Sequence, residues 1–264
     1  MRWSRYFFAS SEPGRPPPAV WVRAANFALA LLAISLLFCF SFHHLAYRLR
    51  WDSVYAYRRM YLQGWLATIW ISAASLVLST LAGLCSALAQ RGPFLPLRYL
   101  GKIYIETVRG TPLLVQILIF FYVVADAIGV SNRYLVGILT LSLFSGAYIS
   151  EIIRAGIESI GRSQLESAKA IGLTRRQTYR HVIFPQALRQ TLPPLAGQFV
   201  SLVKDSSLLS VIAISEFTWN AETVNALTFS TLESYLPLAL GYLVLTLPIS
   251  FWTRRLEQRH RFET

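Results

Sequence analysis

Six long apolar runs, separated by shorter polar stretches, restrict this chain to very few architectures. They extend over Ala24 to Tyr47, Gly64 to Ala89, about Ile103 to Ile128, about Tyr134 to Ile153, Gln190 to about Ile214, and Tyr235 to Trp252. A hydrocarbon layer of ~30 Å takes about 20 helical residues to cross. Lipid offers no water to a backbone, so each segment must satisfy its own amides and carbonyls. The fold class expected is therefore all-α, a polytopic transmembrane helical bundle. Composition agrees, with 54% of the 264 residues apolar and 14% charged, against roughly 25% charged in soluble domains.

A net charge of +12 suits nucleic acid and a lipid surface equally, and the positions of the charges decide between them. Residues 1–23, 90–102, 154–189 and 253–264 together hold eighteen Lys and Arg; the alternate segments 48–63, 129–133 and 213–234 hold five. Basic loops stay on the cytoplasmic side, so the first set, both termini included, is expected there. Residues 1–23, with Arg2, Arg5, Arg15 and Arg23 around PGRPPP, read as a flexible basic tail, and residues 253–264 as a basic cytoplasmic end. Ala24 to Tyr47 is expected to be a retained transmembrane helix rather than a signal peptide, whose apolar part would be shorter and followed by a small-x-small cleavage pattern. The four arginines between Arg48 and Arg59 fit this orientation least, and an amphipathic helix lying in the interface would account for them. In the second run Ser75, Ser79 and Gly83 form a small-residue stripe for close helix approach, either within the chain or towards another copy.

The polar stretch SQLESAKAIGLTRRQTYRHVIFP, Ser163 to Pro185, stands out between these runs. Ser163 with Glu166 has the S-x-x-E capping-box spacing, and Thr174 with Gln177 repeats the device. Gly172 between them can take the left-handed conformation that ends a helix, and Pro185 is expected to close the second one. Two short helices joined by a glycine bend follow. A solvated helical loop and a DNA-binding helix-turn-helix both match that outline. The loop from Arg154 to Arg189 is held at both ends by spans and has no third helix to form a core, which weighs against a DNA reader.

No G-x-x-x-x-G-K-[ST], H-E-x-x-H, G-x-S-x-G or cysteine–histidine cluster occurs, so nothing points to an enzyme active site or a metal site. Cys39 and Cys85, in different runs, make no disulfide framework. The anomaly is instead a set of ionisable groups at membrane depth: Glu106, Arg109, Glu151, Lys204 and Asp205. A charge there costs at least ~2.5 to 3.5 kcal/mol unless it faces protein or a watery cavity. One reading makes them struts, with Glu106 pairing to Arg109 three residues on. In the other they line the route of a polar zwitterion, an acid receiving its amino group, a cation and the free amides at the Thr111-Pro112 break receiving its carboxylate.

Four motifs in register carry a resemblance. ETVRGTPLLVQ (Glu106 to Gln116), GAYISEIIRAGI (Gly146 to Ile157), the Glu166, Ala168, Gly172 and Pro185 pattern, and LVKDSSLLSVI (Leu202 to Ile212) are similar, in this order, to the permeases of bacterial polar amino acid ABC importers. Ser167 and Val182 depart mildly from the family's EAA loop. The similarity covers residues 64–252 and implies a five-helix permease core with one extra N-terminal helix. It implies a pocket at Gly110, Thr111, Pro112, Gln116, Glu151, Lys204, Asp205 and Ser207. It also implies that Glu166 to Gly172 docks in a cleft of a cytoplasmic ATPase, two copies of which bind ATP and Mg off this chain. A second permease subunit, identical or related, and an extracytoplasmic amino acid-binding protein complete the implied complex in the bacterial inner membrane, with no nucleic acid partner and no cofactor on this chain. The binding protein is expected to meet residues 215–234, which carry Glu216, Glu222 and Glu233 but no Lys or Arg. An ion-coupled carrier needing no partner stays open as an alternative, and less readily a membrane-tethered DNA regulator.

Overall fold

A computed structural model describes residues 19–44 and 49–260, and every described element is helical. Most of the basic tail expected over 1–23, residues 45–48 and residues 261–264 lie outside the described residues. Two units emerge, residues 1–49 and 50–264. The first contains α1, Val20–His44, which covers nearly all of the first apolar run. Twenty-five helical residues span about 38 Å, and large apolar side chains such as Phe27, Leu32 and Leu37 are exposed on it.

In the second unit a short helix, α2 (Trp51–Ala56), leads into α3 (Arg58–Arg91). The interfacial helix expected among the arginines is thus six residues long and contains none of them. Arg58 and Arg59 sit in the first turn of α3 instead. Arg50 donates through its guanidinium to the Thr228 carbonyl at 2.9 Å, at the C-terminal, partially negative end of a later helix.

Helix α3 packs against α6 (Arg133–Glu158), and the small-residue stripe forms this contact. Ser75 donates to the Ile138 carbonyl at 3.4 Å, and Ser142 returns a bond of 3.4 Å to the Ser75 carbonyl. At Gly83 an added Cβ would meet the Ile149 side chain at 2.6 Å. The stripe therefore serves packing within the chain. Between α3 and α6 runs the third apolar segment, and it is broken where Thr111-Pro112 was expected to interrupt it. Helix α4 (Leu95–Arg109) and α5 (Leu113–Ile119, continued by a π turn over Phe120–Ala125) meet at 110°. Proline has no amide to extend the ladder, and Gly110-Thr111-Pro112 redirects the chain.

After α6 come α7 (Arg162–Ala170), α8 (Arg175–Thr178), a π turn over Tyr179–Ile183, and α9 (Phe184–Asp205), which passes into a 3-10 turn over Ser206–Ile212. Pro185 does not close a helix as expected. It occupies the first turn of α9, where a missing amide is tolerated, and the helical path runs on from Arg175. The chain ends with α10 (Phe217–Thr228) and α11 (Thr231–His260). Five described helices are long and apolar enough to cross a membrane, and six segments if the bent α4–α5 pair counts as one, matching the six apolar runs. Ile71, Leu113, Ile117, Leu141, Leu209 and Ile214 form the central apolar cluster, joining α3, α5, α6 and the 3-10 turn.

Candidate functional site

Helix α4 ends at a clamp. Gln116, buried in the first turns of α5, donates its side-chain amide to the Val108 carbonyl at 2.8 Å, the Thr111 carbonyl at 3.1 Å and the Thr111 hydroxyl at 2.8 Å. Thr111 in turn donates to Thr107 at 2.9 Å, and the Gly110 amide to Glu106 at 2.9 Å. The last carbonyls of α4, orphaned by the break, are thus satisfied locally. An added Cβ at Gly110 would fall 2.8 Å from the Glu106 carbonyl oxygen. Gly110, Thr111, Pro112 and Gln116 therefore fix the angle of the bend, and the amide nitrogen of Gln116 is fully committed to it.

Immediately before the bend, Arg109 reaches across to α6 and donates to Glu151 at 3.1 Å. Arg154 holds the same carboxylate through two bonds, Nε to Oε1 at 2.8 Å and Nη2 to Oε2 at 2.9 Å, and also pairs with Glu158. The Arg109 guanidinium lies 5.4 Å from the Tyr148 ring centroid, a cation–π distance. The expected Glu106–Arg109 pair does not form: Glu106 is exposed and takes no ion pair among the described residues. Arg154, which the sequence reading left at a loop boundary, is the closest partner of Glu151. Its i,i+3 spacing from Glu151 and i,i+4 spacing to Glu158 were the available signal.

The second break lies where α9 becomes the 3-10 turn. Ser206 donates to the Val203 carbonyl at 2.8 Å and Ser207 to the Lys204 carbonyl at 2.7 Å, again using hydroxyls to satisfy helix-end carbonyls. Lys204 is exposed and Asp205 half-buried, and neither takes an ion pair among the described residues. Leu113 and Leu209 share one apolar cluster with Leu141, so the two breaks adjoin. The candidate residues therefore stand at the two breaks: Arg109, paired with Glu151 on α6, directly before the first, and Lys204, Asp205 and Ser207 at the second.

The polar loop forms a separate pair of short helices. Helix α7 starts after Gly161, with no side-chain cap, so the expected Ser163–Glu166 box is absent; Ser163 already lies inside the first turn. The Thr174–Gln177 box is present. Gly172 adopts φ +79°, with its amide bonded to Lys169 at 3.0 Å and that of Leu173 to Ala168 at 3.0 Å, the paired bonds of a Schellman stop. Ala168 is buried and Leu165 packs against Ile160, Ile183 and Ala187. This fastens the inner face of α7 to the ends of α6 and α9, while Glu166 and Ser167 face outwards and Ile171 is 76% exposed.

The acidic segment 215–234 departs from expectation. Glu216 and Glu233 are fully buried. Glu233 accepts from the Arg50 amide. Glu216 caps α10 by accepting from Thr218 and Trp219 amides at 2.8 Å each, and accepts from Tyr242 at 3.2 Å. Burial pushes its carboxyl up to about 7, against the lowering effect of these bonds. Of the three carboxylates only Glu222 is exposed, so the segment is a structural staple more than an acidic surface.

Comparison with known proteins places this geometry. Residues 76–262 match the family described as "Binding-protein-dependent transport system inner membrane component". The chain is 36% identical over 200 residues to the probable glutamine ABC transporter permease protein GlnM of Bacillus subtilis, covering 76% of this chain and 93% of that protein. It is 34% identical over 211 residues to the glutamine transport system permease protein GlnP of Escherichia coli K12, covering 79% and 96%. Its fold superposes on a solved amino acid ABC transporter with histidines at a TM-score of 0.75 and 32% identity, over 81% of this chain and all of that one. On these matches the chain belongs to the family of inner-membrane components of binding-protein-dependent transport systems.

Proposed function

We propose that this permease imports a polar amino acid across the bacterial inner membrane by alternating access, driven by ATP hydrolysed on separate subunits. The observation that carries the reading is the outward face of α7: a short helix whose Leu165 packs on the Ile160, Ile183 and Ala187 cluster at the ends of α6 and α9, with Glu166, Ser167 and Ile171 free to seat in a partner. A push on α7 moves α6 and α9 together, and these helices carry Glu151, Lys204 and Asp205. The similarity to glutamine permeases at 34–36% identity supports an amino acid as cargo. Two ATPase subunits, which hold the ATP and Mg, a second permease chain and an extracytoplasmic binding protein complete the machine. The basic loops, α7 and both termini face the cytoplasm.

Chemically, the ammonium group of the solute competes with Arg109 for Glu151, while Lys204 offers a cation to its carboxylate. The proposal is tested by copurifying the chain with its ATPase and measuring uptake of labelled glutamine and other polar amino acids into proteoliposomes. ATP-dependent uptake stimulated by a binding protein is the expected result. Uptake driven by a proton gradient without ATP would sink it in favour of the ion-coupled carrier.

A further inference from the structure

Beyond the solute route, α3, α4 and α6 enclose a cavity of about 610 Å³ that includes Arg91, Arg98, Lys102 and Arg154 in its lining. The Arg154 guanidinium is already committed to Glu151 and Glu158. Arg91, Arg98 and Lys102 take no ion pair among the described residues, and Glu158, the one acid in the lining, is paired with Arg154, so three further cations converge on this concave space. Arg91 is the last residue of α3, where a span leaves the hydrocarbon. The adjoining surface of α4 is apolar and open: Tyr99, Leu100 and Ile103 are each 63% exposed. Leu100 and Ile103 then enter a groove of about 440 Å³ that continues along α4 and α5 past Val115 and Ile119. One helix therefore presents a basic hollow and, beside it, an apolar channel.

We infer that this cavity holds the phosphate headgroup of an anionic phospholipid from the cytoplasmic leaflet, whose acyl chain lies over Tyr99 and Ile103 into the groove. The inference rests on the orientation given above, which puts Arg91 on the cytoplasmic side. Charge complementarity selects the headgroup, since basic pockets between spans on that side attract anionic lipid at about 1 kcal/mol per cation. The apolar channel selects a lipid over a soluble anion. Because Arg154 joins the cavity to Glu151, a bound headgroup would hold α4 and α6 together beside the Arg109–Glu151 contact.

The test uses the complete transporter, purified in mild detergent from cells that contain phosphatidylglycerol and cardiolipin, with retained lipid counted by mass spectrometry. Wild type is expected to retain anionic lipid. The double variant Arg98→Gln/Lys102→Gln should retain it about tenfold less or lower, while Arg98→Lys, which keeps the charge, should retain it as wild type does. Equal retention by wild type and the double variant overturns the inference. So does displacement of the lipid by inorganic phosphate, which would make the cavity a soluble-anion site. Loss of the ATPase from the purified complex would instead count against the transport mechanism, because lipid retention is measured on the permease itself.

Discussion

Arg109 donates to Glu151 from a helix 42 positions earlier in the chain, and not to Glu106, its neighbour three residues back. The choice follows from geometry. Helix α4 stops at Arg109, so the side chain projects past the helix end towards α6, where Glu151 is already oriented by Arg154. A strut of this kind is partly exposed, with 42% of the Arg109 and 22% of the Glu151 side chain accessible. Exposed pairs contribute about 0.2–1 kcal/mol, weak enough for a solute to replace Arg109.

Glu151→Gln should therefore change transport more than assembly. The neutral side chain leaves Arg109 and Arg154 without their shared acid and offers a solute ammonium group much less. The expected outcome is a rise in the concentration of amino acid needed for half-maximal ATP-dependent uptake, on the order of tenfold, equivalent to about 1.4 kcal/mol, with the complex still isolated intact. Unchanged concentration dependence for every amino acid tried would make Glu151 a strut only.

The Gly172 position separates backbone strain from packing. An added Cβ there meets nothing within 4 Å, yet φ is +79°, so a substitution acts through the backbone. Gly172→Val should cost about 1–3 kcal/mol of local strain, disturb the stop of α7, and leave ATP hydrolysis running without proportionate uptake while membrane insertion is normal. Gly172→Asn, which tolerates the left-handed region, should stay coupled. The ratio of ATP hydrolysed to solute imported is the measurement, and equal ratios in both variants would refute the coupling through α7.

Removing the clamp at the bend gives a different signature. Gln116→Leu keeps the volume roughly but takes the donor from Val108 and Thr111. Each lost hydrogen bond contributes about 0.5–1.5 kcal/mol, so the variant should melt a few degrees lower in detergent and lose uptake, since the 110° bend is no longer fixed. A melting temperature within error of wild type would show that the bend is held elsewhere.

Glu216 sets a pH dependence with a definite sign. Its carboxyl sits at about 7 in the folded chain against an ordinary 4.5, so between these values the native state binds a proton that the unfolded state has released. Stability from this group is complete below about 4.5 and is lost as pH rises towards and through 7. Melting in detergent followed from pH 4.5 to 8 should show that decline, and Glu216→Gln should flatten it. An identical slope in the variant would assign the dependence to other groups.

Sequence alone determined the helical class, the six apolar runs, the break at Thr111-Pro112 and the Gly172 bend. Each rests on local physics: hydropathy over about 20 residues, a missing amide, or a residue that accepts positive φ. Only the tertiary structure decided which charges meet. Glu106 and Arg109 had the right spacing, yet spacing along one helix says nothing about an acid on α6 that lies within reach. It also decided that Ser75, Ser79 and Gly83 pack within the chain, that Gln116 spends its amide on the bend, that Pro185 starts a helix, and that Glu216 and Glu233 are buried. In each case the deciding partner is far away in sequence, and its position is set by how the helices stack.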